Sequence, residues 1–241
     1  GGGGQCKSFS EYGFTLAEVL ITLGIIGIVA SMTIHAITAH YRKKEIAVRL
    51  KKFSSTIQNA FNMAAAEYGE PSNWKFPSKT GDSEQTNEFV NTYLFPYLTG
   101  VRVCNTDECK QINENMGHLG HSVAAYIFSD GSCFTFITGG SGTDHSTMHA
   151  YYDYNCLSKP NKRDYDQFAF IMTANAGKKF TFKAGGVKTL NLTKRDDLLD
   201  VCKNHEIDGH SPGTCSALIE FDGWKMIIHG LSKYYFFLKF L

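Results

Sequence analysis

From Phe14 to Ile37 the chain reads FTLAEVLITLGIIGIVASMTIHAI, with a single formal charge, Glu18, and no charge at all from Val19 to Ile34. As a helix rising about 1.5 Å per residue, this run reaches roughly 36 Å, enough to cross a hydrocarbon core of about 30 Å. One membrane span is therefore the expectation. A buried core helix rarely needs such continuous apolarity. A cleaved secretory signal should end in a small-residue site, for which Ala30 and Ser31 are the candidates.

Beyond the run, apolar residues recur as Ile46, Leu50, Phe53, Ile57, Phe61, Ala64 and Tyr68, with no Pro or Gly from His40 to Tyr68. Spacings of three and four make one stripe on a helix. The economical reading is a single helix from Phe14 to Tyr68, roughly 80 Å long. Its first half meets lipid and its second half packs on a domain; Gly69 and Pro71 stop it. The 241 residues leave room for one sizeable domain besides this helix. Lys+Arg 24 against Asp+Glu 23 gives no broad electrostatic footprint, so nucleic acid is not an expected partner.

Glu18 is the outlier, because an acid deep in a span costs about 2.5 to 3.5 kcal/mol on insertion scales, and less near an end. Either it reaches the headgroups or another protein supplies its counter-charge. Here the residues GFTLAEVLITLGIIGIVASMTI resemble the N-terminal signature of type IV pilins and type II secretion pseudopilins. That family has a short polar leader ending in Gly, a cut before Phe, and Glu as the fifth mature residue; Gly13, Phe14 and Glu18 occupy those places. The resemblance implies cleavage between Gly13 and Phe14 by a prepilin peptidase, N-methylation of Phe14, and pairing of its amine with Glu18 of a neighbouring subunit. It further implies a single-pass inner-membrane protein with a periplasmic C-terminal domain, later part of a periplasmic or surface filament. The partners would be homologous pilin or pseudopilin subunits, membrane lipid, and an inner-membrane assembly platform with a separate ATPase. The sequence departs from the family at His35, where many members carry Pro, and in a leader that begins GGGG with Lys7 as its one base.

Arg42, Lys43, Lys44, Arg49, Lys51 and Lys52 follow the apolar run. The positive-inside rule would place them in the cytoplasm, opposite to the family's orientation. The cysteines side with the family. With Cys6 in the leader, six remain: Cys104, Cys109, Cys133, Cys156, Cys202 and Cys215. Six thiols allow 15 pairings; the chosen set joins near neighbours, Cys104 with Cys109, Cys133 with Cys156 and Cys202 with Cys215. Such bonds imply an oxidising compartment. Zinc is the rival reading: Cys104, Cys109, His118 and His121, or Cys202, His205, His210 and Cys215, would each supply four soft ligands.

The expected fold class is α+β, a long N-terminal helix packed on an antiparallel β-sheet, pilin-like. The expected divisions are a leader over 1–13, a membrane or filament-core helix over 14–37, its amphipathic continuation over 38–68, a variable connection over 69–121, and a sheet domain over 122–241. The connection holds one short helix candidate, Glu88 to Tyr97. Strands are expected over Val123 to Phe128, Cys133 to Thr138, Gln167 to Met172 and Lys179 to Lys183, with Asp130-Gly131 as a hairpin turn. A last hairpin is expected from Ala217 to Phe221, Asp222-Gly223 and Trp224 to Ile228, where CSALIEFDGWKM resembles a C-terminal hairpin of some pilin-like proteins.

No enzyme is expected: neither a G-x-S-x-G elbow nor an H-E-x-x-H pair appears, and the glycine cluster at 139–142 opens no helix. No cofactor is required. Asp153, Asn155, Asp164 and Asp166 carry oxygens spaced along one loop that calcium would accept, although Asn, Pro and Asp also build ordinary solvated turns. The apolar C-terminus LSKYYFFLKFL is too short to span a bilayer. The alternative function is a membrane-anchored or secreted periplasmic binding or hydrolytic domain behind an ordinary signal or anchor.

Overall fold

The computed structural model describes residues 13–117, 123–138, 147–174, 180–204 and 213–226. The leader before Gly13, the four candidate zinc histidines, the glycines at 139–142, Lys179, residues 227–228 and the apolar C-terminus lie outside them. The chain divides into two compact units, Gly1–Lys43 and Lys44–Leu241.

Helix α1 spans Leu16–Tyr68 without a break. It carries no Pro, and its two glycines, Gly24 and Gly27, do not interrupt it; it also runs straight through position 35. Gly69 ends it at φ +80°, donating its N–H to the Ala65 carbonyl at 3.0 Å, the left-handed cap that only glycine adopts without strain. Pro71 then opens a short 3-10 turn.

In the second unit the apolar stripe of α1 is the centre of the core: Ile46, Leu50, Phe53, Ile57, Phe61 and Ala64 are all buried. They lie on a six-stranded antiparallel sheet in which every strand neighbours the next in sequence, β1 Val101–Val103, β2 Ala125–Phe128, β3 Cys133–Thr138, β4 Thr147–Asp153, β5 Gln167–Thr173 and β6 Thr181–Ala184. Period-two alternation sends Phe134 and Phe136 toward α1, and Cys133 and Thr135 to the opposite face. Each of β2 to β6 places one ring against Phe53: Phe128 at 6.2 Å, Phe134 at 5.4 Å, Tyr152 at 4.6 Å, Phe170 at 4.9 Å and Phe182 at 6.1 Å. Helix α2, Ser83–Tyr93, extends this layer through Phe89 and Val90.

The other face of the sheet is also covered. Helix α3, Thr106–Asn115, starts on a capping box between Asn105 and Glu108 and lays Ile112 and the following Met116 over Ala125, Ile127 and Cys133. Helices α4, Arg195–Asn204, and α5, Cys215–Phe221, share a smaller apolar cluster of Leu198, Cys202, Ala217 and Leu218. Ser216 fastens α5 to β5 by donating its hydroxyl to the Ala169 carbonyl at 2.5 Å.

Three bridges join Cys104 to Cys109, Cys133 to Cys156 and Cys202 to Cys215. They tie β1 to α3, β3 to the loop after β4, and α4 to α5. The two longer loops, of separation 23 and 13, each stabilise the fold by on the order of 3 kcal/mol in the chain-entropy picture. With these thiols in disulfides, neither proposed cysteine–histidine set keeps its sulfur ligands for zinc.

Two expectations need correction. Ala217 to Phe221 is helical, and Asp222-Gly223 ends that helix instead of turning a hairpin. Gly223 sits at φ +68° and donates to the Glu220 carbonyl at 3.0 Å, and Trp224 donates to the Ile219 carbonyl at 2.8 Å, the paired bonds of a Schellman stop. The stretch 69–121 is more than a connection, since it supplies α2, α3 and the edge strand β1.

Candidate functional site

The N-terminal unit presents the candidate processing junction, Gly13 and Phe14, and the helix behind it. At Gly13 a Cβ would meet nothing within 4 Å, and Phe14 is 88% exposed, so the peptide bond between them is open to an enzyme. Thr15 is the N-cap of α1. Its N–H donates to Glu18 Oε2 at 2.8 Å, its hydroxyl donates to the same oxygen at 2.8 Å, and the Glu18 N–H donates to Thr15 Oγ1 at 3.2 Å. This is a reciprocal capping box of the form T-x-x-E, and it satisfies two of the amide donors that every helix start leaves open. The motif was visible in the sequence. Its signal is the spacing of Thr15 and Glu18, three residues apart at the start of the apolar run.

Behind the box, Leu20, Ile21, Leu23, Ile25, Ile26 and Ile28 are each 58 to 63% exposed. These positions fall all round a helix of 3.6 residues per turn, so no single face is apolar; the whole cylinder is. Among the described residues no helix is long and apolar enough to cross a membrane. The side chains of Met32, His35, Ala36 and Ala39 lie outside the described set, and the unbroken part, residues 16–31, reaches about 24 Å.

The loop read as a calcium candidate uses its acids differently. Asp153 Oδ1 accepts from the backbone N–H groups of Asn155 at 3.0 Å and Cys156 at 2.8 Å, and Oδ2 accepts from Gln167 Nε2 at 3.0 Å. Asp166 accepts from the N–H groups of Asn161 and Lys162, at 2.9 and 2.6 Å. Asp164 reaches across to α5 and accepts from the Gly213 and Cys215 N–H groups at 3.0 and 2.8 Å. Asn155 donates to the carbonyls of Ser158 and Lys159, at 3.0 and 2.9 Å, while its Oδ1 is buried without a partner. Each carboxylate thus organises its own stretch of backbone. Among the described residues no group of three or more His, Cys, Asp or Glu is arranged to hold a metal ion.

Burial raises the Asp153 carboxyl to about 6, against an ordinary 3.8, with the charge of Asp166 adding to the effect. The folded chain therefore binds a proton that the unfolded chain has released between about pH 4 and 6. Stability from this group is complete at the acid end and lost as pH rises through 6, by on the order of 3 kcal/mol. The difference in unfolding free energy between native protein and Asp153→Asn, followed by urea titration from pH 4 to 7.5, is expected to shrink with rising pH. A difference that stays flat across this range would remove the argument.

Two family models match. The prokaryotic N-terminal methylation motif covers residues 9–34, the prepilin-type signature of type IV pilins and pseudopilins. No curated protein and no solved structure matches the chain. Gly13, Phe14 and the capped start of α1 as far as Ile34 lie inside the first match, and the six-stranded sheet lies inside the second. The chain belongs to the family of unknown function DUF6613, whose model covers residues 36–229.

Proposed function

We propose that the chain is a structural subunit of a type IV pilus or type II secretion pseudopilus. It is cut between Gly13 and Phe14 by a prepilin peptidase and methylated on the new Phe14 amine. Residues 14–37 hold it in the inner membrane with its sheet domain in the periplasm. An assembly platform with a separate ATPase then draws it into a filament with homologous subunits. The observation that carries this reading is the exposed apolar cylinder. A soluble domain rarely leaves so large an apolar surface uncovered, and lipid followed by neighbouring helices covers it on all sides. The prepilin signature supports the same reading and points away from a catalyst. Three disulfides in the domain fit an extracytoplasmic location.

Mass spectrometry of the mature N-terminus tests the proposal. N-methyl-Phe14 is expected as the first residue. A chain that starts beyond Ala30 would instead indicate an ordinary signal peptide, and a chain that retains residues before Phe14 would end the filament reading.

A further inference from the structure

Between β6 and α4 the sequence reads Asn191-Leu192-Thr193, the N-x-[ST] pattern of an N-glycosylation acceptor. A motif this short arises by chance, so the fold around it has to decide whether it is usable. Asn191 and Thr193 are both exposed, while the intervening Leu192 is half-buried and packs on the Leu198, Cys202, Ala217 and Leu218 cluster. Leu192 also donates its N–H to the Thr189 carbonyl at 3.2 Å, closing a turn after the short 3-10 helix Val187–Thr189. The middle residue is therefore anchored and the two flanking side chains stand outward.

Residues 190–194 belong to no helix or strand, so drawing the segment into an extended binding groove costs the Leu192 turn bond and its packing but breaks no sheet ladder and no helix. Among the described residues, neither the Asn191 carboxamide nor the Thr193 hydroxyl enters a hydrogen bond. Both recognition groups are free to be bound. The Cys202–Cys215 bridge close by in the same cluster fits the oxidising compartment in which such acceptors are modified.

We propose that Asn191 is an N-linked saccharide acceptor. The donor is a saccharide carried on a polyprenyl pyrophosphate. The Asn191 Nδ2–C1 bond forms as the C1–oxygen bond to the pyrophosphate breaks, the amide proton passes to a base of the transferase, and the lipid pyrophosphate leaves. Nothing is oxidised or reduced. The inference rests on the extracytoplasmic placement proposed above, because the acceptor must meet the lipid-linked donor there.

The test is peptide mass spectrometry of the native mature protein, reading the 188–194 region and the N-terminus in the same digest. The expected result is a saccharide mass on Asn191 at an occupancy of tens of per cent or more, in molecules that begin with N-methyl-Phe14. Asn191→Gln and Thr193→Val each abolish it, and Thr193→Ser retains it; a merely structural role for Thr193 would not sort Ser from Val in this way. Molecules that carry N-methyl-Phe14 but an unmodified Asn191 overturn the acceptor assignment and leave the filament reading standing. Molecules without the processed Phe14 overturn the filament reading, and Asn191 is then read by itself: an unmodified Asn191 overturns the acceptor assignment as well, and a saccharide there upholds it.

Discussion

Phe53→Ala is expected to cost the folded domain about 3 to 5 kcal/mol, the range for emptying a buried Phe position. Phe53 is 2% exposed, and five strands meet on its ring at centroid distances from 4.6 to 6.2 Å. Removing it withdraws contacts from β2 through β6 at once, and neighbours held by the ladder cannot all move inward to fill the space. Against a total stability of roughly 5 to 15 kcal/mol for a typical domain, the loss takes a large fraction of the whole. Phe53→Leu keeps most of the volume and should cost clearly less. Phe221→Ala removes the same side chain from a site 49% exposed, and there a loss of about 1 kcal/mol or less is expected. Urea unfolding of the mature chain in detergent, followed by near-ultraviolet circular dichroism, reads all three. Equal losses at positions 53 and 221 would show that the ring cluster is not the keystone of the sheet.

The parts of this fold that the sequence declares are those in which one local rule acts alone. The stripe from Ile46 to Ala64 is apolar at helical spacing and sits on a sheet, so periodicity read it correctly. Asp130-Gly131 joins two β-rich runs and turns a hairpin, with Gly131 at φ +82°. Asp222-Gly223 carries the same dipeptide and ends a helix, because the residues before it bury Ala217 and Leu218 against α4 across a disulfide. No window of a few residues contains that tertiary partner. Strand β4 is not legible in the sequence although Met148, Ala150 and Tyr152 alternate as core residues, because His149 and the polar stretch before Thr147 blur the pattern. The candidate calcium acids show a related limit. Spacing says that carboxylates are near in sequence, but whether they converge or turn to separate backbone amides depends on where β5 and α5 come to lie. At the N-terminus the local hydrogen bonding is legible, since Thr15 and Glu18 stand at capping-box spacing and Glu18 serves the cap of its own helix in the single chain.

That double use makes Glu18→Gln the most informative substitution in the assembly segment. Under the proposed function, the Glu18 carboxylate neutralises the methylated amine of a neighbouring subunit inside the bundle, where leaving one charge unpaired costs about 3 to 5 kcal/mol. Glu18→Ala would remove both the charge and the cap, and a cap is worth about 1 kcal/mol, so a defect in that variant alone is ambiguous. Glutamine keeps an oxygen that can accept from the Thr15 N–H and hydroxyl, as the capping box allows either residue, yet it offers no charge to an ammonium group. Glu18→Gln is therefore expected to be inserted and cleaved normally while its yield of filaments falls by roughly two to three and a half orders of magnitude, as the energy of one unpaired charge dictates. Thr15→Val, which loses the cap hydroxyl and keeps the carboxylate, should assemble with a reduction of severalfold at most. Cleavage is read by the mature N-terminal mass and assembly by quantifying sheared filaments. If Glu18→Gln assembles like the native chain while Thr15→Val fails, Glu18 acts as a helix cap and the charge-pairing role is wrong.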